Sequence, residues 1–599
     1  MMKLKTPYLA LLLTFIVLIV YYPTIFAGFN TVDDVGMINW LLNTEHFNLQ
    51  NLFLPGGSGY YYRPLLGLTF IADKYLWGLL ASFMHLENIL LHAVNAILVF
   101  FIGIKVFKRY EINNKLLPFS AALLFALHPV NTEAVNWISG RTDVLAGSFT
   151  LFSTLFLLTA LEKKSGRLGS LAAISLFLGC LSKETAVFFF PAALFLIYSY
   201  DKSAGYSVVQ RLRKRFVLYA LFMLSLVSYF FLRHLAFAKN DSGISTATKG
   251  ILGPEADILS TARIFLKVMG FYIKKLFLPW PLNFGIINVS GYYVIIGVVL
   301  VAVVLYLLYR RDLIAAVYLS SIFTIVPAFL VAIGGMAWAR IAERYLYIAT
   351  AFFAIAITYT VYVLFPVFHS PLDSFPFVKA RTRNGNVHPS KQRFLIVALF
   401  ALFIILSITT MHRNIIWQDN LTLFEDTVAK SPDFPPAKNE LASALLQHGR
   451  MDEAFKLIET NAVSANGSSY TTADINKAKV MAAENDVEGG RKLLLAKLDA
   501  PGKQYDEILL GLLAVDEQRV NQARSGAKKL EIHAEQIDLL MKLYARTSEP
   551  FYCYRIGQIY LFMNKKSEAR AFFEQAYEKA PDNAYYKSFA KKLAEKLKS

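Results

Sequence analysis

Eleven long apolar runs recur between residues 9 and 411 of this chain, and they constrain its fold more than any other feature. They occupy residues 9–26, 89–104, 116–127, 144–160, 168–181, 186–200, 216–231, 292–309, 313–333, 345–368 and 394–411. With 55% hydrophobic residues overall, a soluble chain would have no means of hiding so much apolar surface. A bilayer accepts each run as a spanning helix of about 20 residues. Several runs are shorter than that, so their helices must extend into flanking polar residues. The predicted fold class is all-α, with a polytopic membrane helix bundle over residues 1–411.

The net charge of +18 would suit nucleic acid if it were gathered on one soluble face, but it is not. Lys105, Lys108, Arg109 and Lys115 share one loop, and Lys163, Lys164 and Arg167 another. Arg211, Arg213, Lys214 and Arg215 form a third cluster, Arg310 and Arg311 a fourth, and Lys379, Arg381, Arg383, Lys391 and Arg393 the last. These are alternate loops, as expected when basic residues mark the cytoplasmic side. The pattern predicts a cytoplasmic N-terminus, an odd number of spans, a non-cytoplasmic C-terminus, the lipid bilayer as a partner and no nucleic acid. The opening Met1-Met2-Lys3-Leu4-Lys5 and the run after it read as a retained signal anchor, because the run is long and lacks a small-residue cleavage site. Cys180 and Cys553, the two cysteines, suggest no disulfide.

Beyond Met411 the composition becomes that of soluble helices. Residues 551–598 fit a tetratricopeptide repeat: Gly557, Tyr560, Ala569, Phe573, Ala576 and Pro581 stand where paired helices need a small residue, a packing aromatic or a stop. Residues 437–461 fit the template more loosely through Leu441, Ala442, Leu445, Gly449 and Ala454. Such arrays need at least three units. Degenerate units are therefore expected between, and residues 412–599 are predicted to form a repeat-type α-solenoid. Its extended surface suits an acceptor polypeptide.

The ionisable groups beside the spans gather at their predicted outer ends. Asp33 and Asp34 follow the first span, and Arg63 sits in Tyr60-Tyr61-Tyr62-Arg63-Pro64. His128, Glu133, Arg141 and Asp143 flank the third and fourth spans, Lys183 and Glu184 lie between the fifth and sixth, and Arg340, Glu343 and Arg344 precede the tenth. Ile264, Phe265, Val268, Met269 and Tyr272 recur at helical spacing beside Lys267, Lys274 and Lys275, which predicts a helix in the membrane interface. Charged groups at such places are costly and suggest function. One carboxylate to deprotonate an attacking hydroxyl, with cations to receive a departing phosphate, would suffice to move a sugar from a lipid phosphate. Simpler roles stand beside this one: the acidic pair as a helix cap, Arg141 paired with Asp143, Lys183-Glu184 as the apex of a hairpin, and His85, His92 and His128 as packed core histidines.

In order and spacing the chain resembles the transmembrane-and-tetratricopeptide-repeat O-mannosyltransferases and, more widely, lipid-phosphate-dependent glycosyltransferases of the GT-C fold. The resemblance rests on Asp33-Asp34, Tyr62-Arg63-Pro64-Leu65, the stretch from His85 through Glu87 to Asn95, and His128-Pro129-Val130-Asn131-Thr132-Glu133 with Gly140-Arg141-Thr142-Asp143. Lys183-Glu184-Thr185, Pro279-Trp280-Pro281-Leu282 and Ala342-Glu343-Arg344-Tyr345-Leu346-Tyr347 follow in the family's order. It implies an inverting transfer from a polyprenyl-phosphate sugar to a hydroxyl of a polypeptide or glycan, with Asp33 as base and Asp34 close behind. Arg63, Lys183 and Arg344 would bind the donor phosphate, with Arg141 and Arg340 next. Glu133, Asp143, Glu184, Glu343 and His128 would support the acceptor or a divalent cation, whose requirement differs among relatives. The repeat array is shorter than in the longest eukaryotic members, which suits a bacterial inner-membrane enzyme facing the periplasm. A lipid-linked sugar flippase and a non-catalytic repeat scaffold are the competing classes.

Overall fold

The fold is that of a computed structural model. It describes the chain from Thr6 to Lys598 apart from residues 44–48, 56–57, 60, 201–206, 238–239, 242, 244–256, 335–337, 366–388, 465–470, 499–504 and 581–585. Most of the last basic loop, Tyr60 and Pro581 therefore lie outside the described residues. Two units emerge from the contacts: Met1–Asn30 with Asn48–Asp419, and Thr31–Phe47 with Asn420–Ser599.

In the first unit every apolar run is helical. Among the described residues eight helices are long and apolar enough to cross a membrane: Thr6–Phe26, Ala81–Lys108, Arg141–Lys163, Phe216–Ala236, Tyr293–Arg310, Leu313–Ile333, Glu343–Leu364 and Val397–Ile416. The other three runs form the shorter helices Leu116–Ala126, Gly166–Ser182 and Glu184–Tyr200. At 1.5 Å per residue, the 11 residues of Leu116–Ala126 cover only about half of a hydrocarbon core. The chain continues from it through the short turns Pro129–Asn131 and Thr132–Asn136, both buried in protein.

The two ends of this bundle differ chemically. At one end Lys105 and Lys108 pair with Glu162, Arg109 donates to the Tyr200 carbonyl (3.2 Å), and the Ile314 amide donates to the Tyr110 hydroxyl (2.9 Å). Three of the basic loops are thereby gathered together. Midway, Tyr347 ties three elements: its hydroxyl lies 2.8 Å from His92 Nδ1 and accepts from Asn95 (2.9 Å), while His92 Nε2 meets the Ala126 carbonyl (3.1 Å). His92 is a packed core histidine.

The helix predicted around Ile264 is present as Ile258–Phe277, and it packs by one face. Ile258–Phe277 exposes its first two turns and Phe277, whereas Val268–Tyr272, Lys275 and Leu276 are buried. Gly270 and Gly297 explain why: a methyl on either would collide with the other helix's backbone, so Ile258–Phe277 and Tyr293–Arg310 meet backbone to backbone.

The second unit is a series of antiparallel helices. Pro435–Gln447 and Met451–Ser464 turn through Gly449 (φ +73°). Thr471–Ala483, Val487–Leu498, Tyr505–Gln522 and Gly526–Thr547 are the degenerate middle, and Pro550–Phe562, Lys566–Lys579 and Lys587–Lys596 complete the array. A methyl on Gly557 would stand 2.8 Å from the Phe573 ring, so only glycine admits that aromatic between the paired helices. The helix Asp34–Asn43 belongs to this unit too, and the Thr31 hydroxyl donates to Glu440 (2.6 Å).

Candidate functional site

Lys183 occupies a break in the chain's helices. Gly166–Ser182 ends at it, its backbone is extended (φ −157°, ψ 134°), and the chain resumes as the tight turn Glu184–Phe188. The break sends two adjacent charges to different partners. Lys183 Nζ donates to both oxygens of Asp143 at 2.6 Å, with both side chains buried. Glu184 accepts the fork of Arg63, from Nε at 2.9 Å and from an outer nitrogen at 2.5 Å. Asp143 sits in the first turn of Arg141–Lys163, where the helix end favours a carboxylate. Burial lowers the pKa of Lys183, Asp143 opposes this, and the nearby charges of Arg63 and Arg344 lower it further. Three cations thus share one local field.

Arg344 is held from the far side. Glu133 accepts from the amides of Glu343 (2.8 Å) and Arg344 (3.2 Å) and from the Arg344 guanidinium. Burial raises the pKa of Glu133; Arg344 opposes that and Glu343 adds to it. Glu343 in turn accepts from Lys275 Nζ (2.5 Å) and the Asn283 amide (3.2 Å). The Tyr345 ring lies 5.2 Å from the Lys183 ammonium and 5.0 Å from the Arg344 guanidinium, so one aromatic face serves two cations.

Arg141 and Asp143 do not form a pair with each other. Two residues apart on a helix, they face different ways. Arg141 donates to Asp73 (2.7 Å), Asn88 (3.0 Å) and the Met84 carbonyl (3.1 Å), and lies 3.1 Å from Glu87. Its guanidinium is filled by protein partners. Burial and a hydrogen bond to Glu87 push Asp73 up to about 7, with Arg141 pulling the other way.

Of the residues singled out from the sequence, Arg63, Lys183, Glu184, Asp143, Arg344, Glu133 and Glu343 are brought into linked pairs. Arg340 is exposed. His128 is buried, its Nε2 is 3.0 Å from the Leu276 carbonyl, and burial lowers its pKa to about 4, as for a packed neutral ring. Asp33 is exposed and Asp34 fully buried at the start of Asp34–Asn43, in the second unit. Among the described residues no group of three His, Cys, Asp or Glu stands ready to hold a metal ion. Sequence reasoning missed Asp73 and the inward role of Lys275. A signal existed for each: the pair Asp73-Lys74 interrupts the mostly apolar helix Pro64–Trp77, and Lys275 falls on the stripe of Val268 and Tyr272.

With this geometry in view, comparison with known proteins is informative. The tetratricopeptide repeat family matches residues 550–583, the last complete helix pair. Human protein O-mannosyl-transferase TMTC1 is 39% identical over 144 residues, 22% of this chain and 16% of the relative. Human protein O-mannosyl-transferase TMTC2 is 40% identical over 104 residues, 17% of this chain and 12% of the relative. Over those stretches the chain is similar to the TMTC proteins. Protein O-mannosyl-transferase F38B6.6 of Caenorhabditis elegans is 30% identical over 149 residues, covering 25% of this chain and 21% of its own length. The chain thus spans about a fifth or less of the curated relatives it matches. No solved structure matches it. The apolar helices mark a membrane protein, and the matched repeat lies in the second unit.

Proposed function

We propose that this chain is a GT-C-type membrane glycosyltransferase that moves a sugar from a polyprenyl-phosphate donor to an acceptor hydroxyl. Protein serine or threonine is the acceptor class favoured by the names of its relatives. The observation that carries the proposal is the gathering of Lys183 and Arg344 around Tyr345, with Arg63 close enough to act on Lys183 and each cation already held by a carboxylate. Such a set is preorganised: it needs no rearrangement when negative charge arrives on a departing phosphate.

The reaction is a single displacement. The acceptor oxygen bonds to the anomeric carbon as that carbon's bond to the phosphate oxygen breaks, which inverts the configuration. The electron pair leaves on the phosphate, facing Arg63, Lys183 and Arg344. The hydroxyl proton passes to an acidic residue of the first outer loop, and Asp33, exposed where Asp34 is buried, is our assignment. Arg141, filled by Asp73, Asn88 and Met84, is assigned to holding the loops. Glu133 and Asp143 hold cations of the chain itself in this reading. We place the basic loops in the cytoplasm and the repeats outside, in a bacterial periplasm, where the solenoid would present an acceptor polypeptide.

Transfer by the purified chain in detergent tests this, with a panel of polyprenyl-phosphate sugars and a membrane-free protein extract as acceptor. Labelled protein lost on Arg63→Met, Lys183→Met and Asp33→Asn is the expected result. Donor bound but neither transferred nor hydrolysed would favour a lipid-sugar flippase.

A further inference from the structure

Three of the chain's six tryptophans collect around a single phenylalanine. The Phe284 ring stacks on Trp338 (centroids 4.7 Å apart) and receives the edges of Trp417 (4.9 Å) and Trp137 (5.5 Å). On the other side of Trp137 lies the Arg344 guanidinium, 4.9 Å from the ring centre. The aromatic cluster therefore begins where the proposed phosphate site ends.

Two donors in it are unanswered. The indole Nε1 atoms of Trp137 and Trp417 are buried and have no hydrogen-bond partner. Burying such a group unmet costs about 1–3 kcal/mol, and native proteins seldom leave one without cause. Phe284, Trp137 and Trp417 are buried, whereas Trp338 is only half-buried and its neighbour Arg340 is exposed, so the cluster is reached from the Trp338 side.

We propose that Trp137, Phe284, Trp338 and Trp417 form the hexose subsite of the donor, an inference that rests on the glycosyltransferase reading. A hexose matches the cluster in two ways. Its C–H faces are apolar and flat enough to lie on aromatic rings, and its hydroxyl oxygens accept from indole N–H. Apolar walls with a few placed donors are what small-ligand sites provide.

The test measures binding of two lipids to the full-length chain in detergent: a polyprenyl-phosphate hexose and the same polyprenyl phosphate without sugar. Trp137→Phe and Trp417→Phe keep an aromatic ring and remove the N–H. Each should weaken the hexose lipid by about threefold to tenfold and leave the sugar-free lipid unchanged, with the melting temperature recorded as a check on folding. Equal weakening of both lipids, or of neither, would overturn the subsite and mark the cluster as packing alone. If the wild-type chain binds neither lipid, the glycosyltransferase reading itself fails, and the subsite with it. Should a variant not fold, the wild-type tryptophan emission decides. The hexose lipid must shift it beyond the sugar-free lipid, and an identical response refutes the subsite.

Discussion

The ammonium of Lys183 lies 2.6 Å from each carboxylate oxygen of Asp143, and neither side chain reaches solvent by more than 5%. Removing one partner strands the other's charge in a low-dielectric interior, which costs about 3–5 kcal/mol. Lys183→Met and Asp143→Leu should each lower the melting temperature sharply in detergent. The double substitution should recover most of that loss, because two apolar side chains replace a buried pair at little cost. Donor binding should not return with stability. A double variant that melts like wild type and still binds the polyprenyl-phosphate donor normally would remove Lys183 from the phosphate site.

The acidic pair of the first outer loop separates by exposure. Asp33→Asn should cut sugar transfer at least about a hundredfold while melting and donor binding stay as in wild type. Asp34→Asn alters a fully buried group at the start of Asp34–Asn43 and should act first on stability. Transfer rates and melting curves of the two variants side by side check this. An active Asp33→Asn enzyme would move the base elsewhere.

His128 should make the membrane unit sensitive to acid. Burial holds its folded-state pKa at about 4, well below the ordinary value of 6.5. The unfolded chain takes up the proton first as pH falls, so stability is lost from about pH 6.5 down towards pH 4, on the order of 3 kcal/mol in all. His128→Gln should flatten the melting temperature across that range. An unchanged slope would show that other groups set it.

How much of this could be read from the residues alone follows from the range of each interaction. Apolar periodicity is local, which is why all eleven runs are helices and why the pairing of Gly557 with Phe573 was legible as a repeat. Ion pairs are another matter: Arg63 and Glu184 stand 121 residues apart, and nothing nearby in sequence names either one's partner. Lys275 misled for the opposite reason. Its neighbours form a good interface pattern, and only the close approach of Gly270 and Gly297 shows that the Lys275 face packs against protein.

The repeats should be separable from the membrane chemistry. Gly557→Val forces a branched side chain against Phe573 and should destabilise the last helix pair by about 1–3 kcal/mol. Limited proteolysis should then cut more readily near residues 550–583. Donor hydrolysis should be unchanged and transfer to protein reduced. Loss of both activities together would show that the repeats support the chemistry itself.

Arg141 gives the sharpest contrast between holding a loop and holding a phosphate. Its donors already reach Asp73, Asn88 and the Met84 carbonyl, in a geometry that a lysine's single ammonium does not reproduce. Arg141→Lys should therefore lower the melting temperature and the transfer rate together, with the apparent affinity for polyprenyl phosphate little altered. Asp73→Asn should do the same, since it removes the carboxylate that fixes the guanidinium. A phosphate-binding role predicts another outcome for Arg141→Lys: weakened donor binding at unchanged stability. Titrating donor into the two variants at matched fractions of folded protein separates the cases, and a shared loss of stability without loss of affinity assigns Arg141 to positioning.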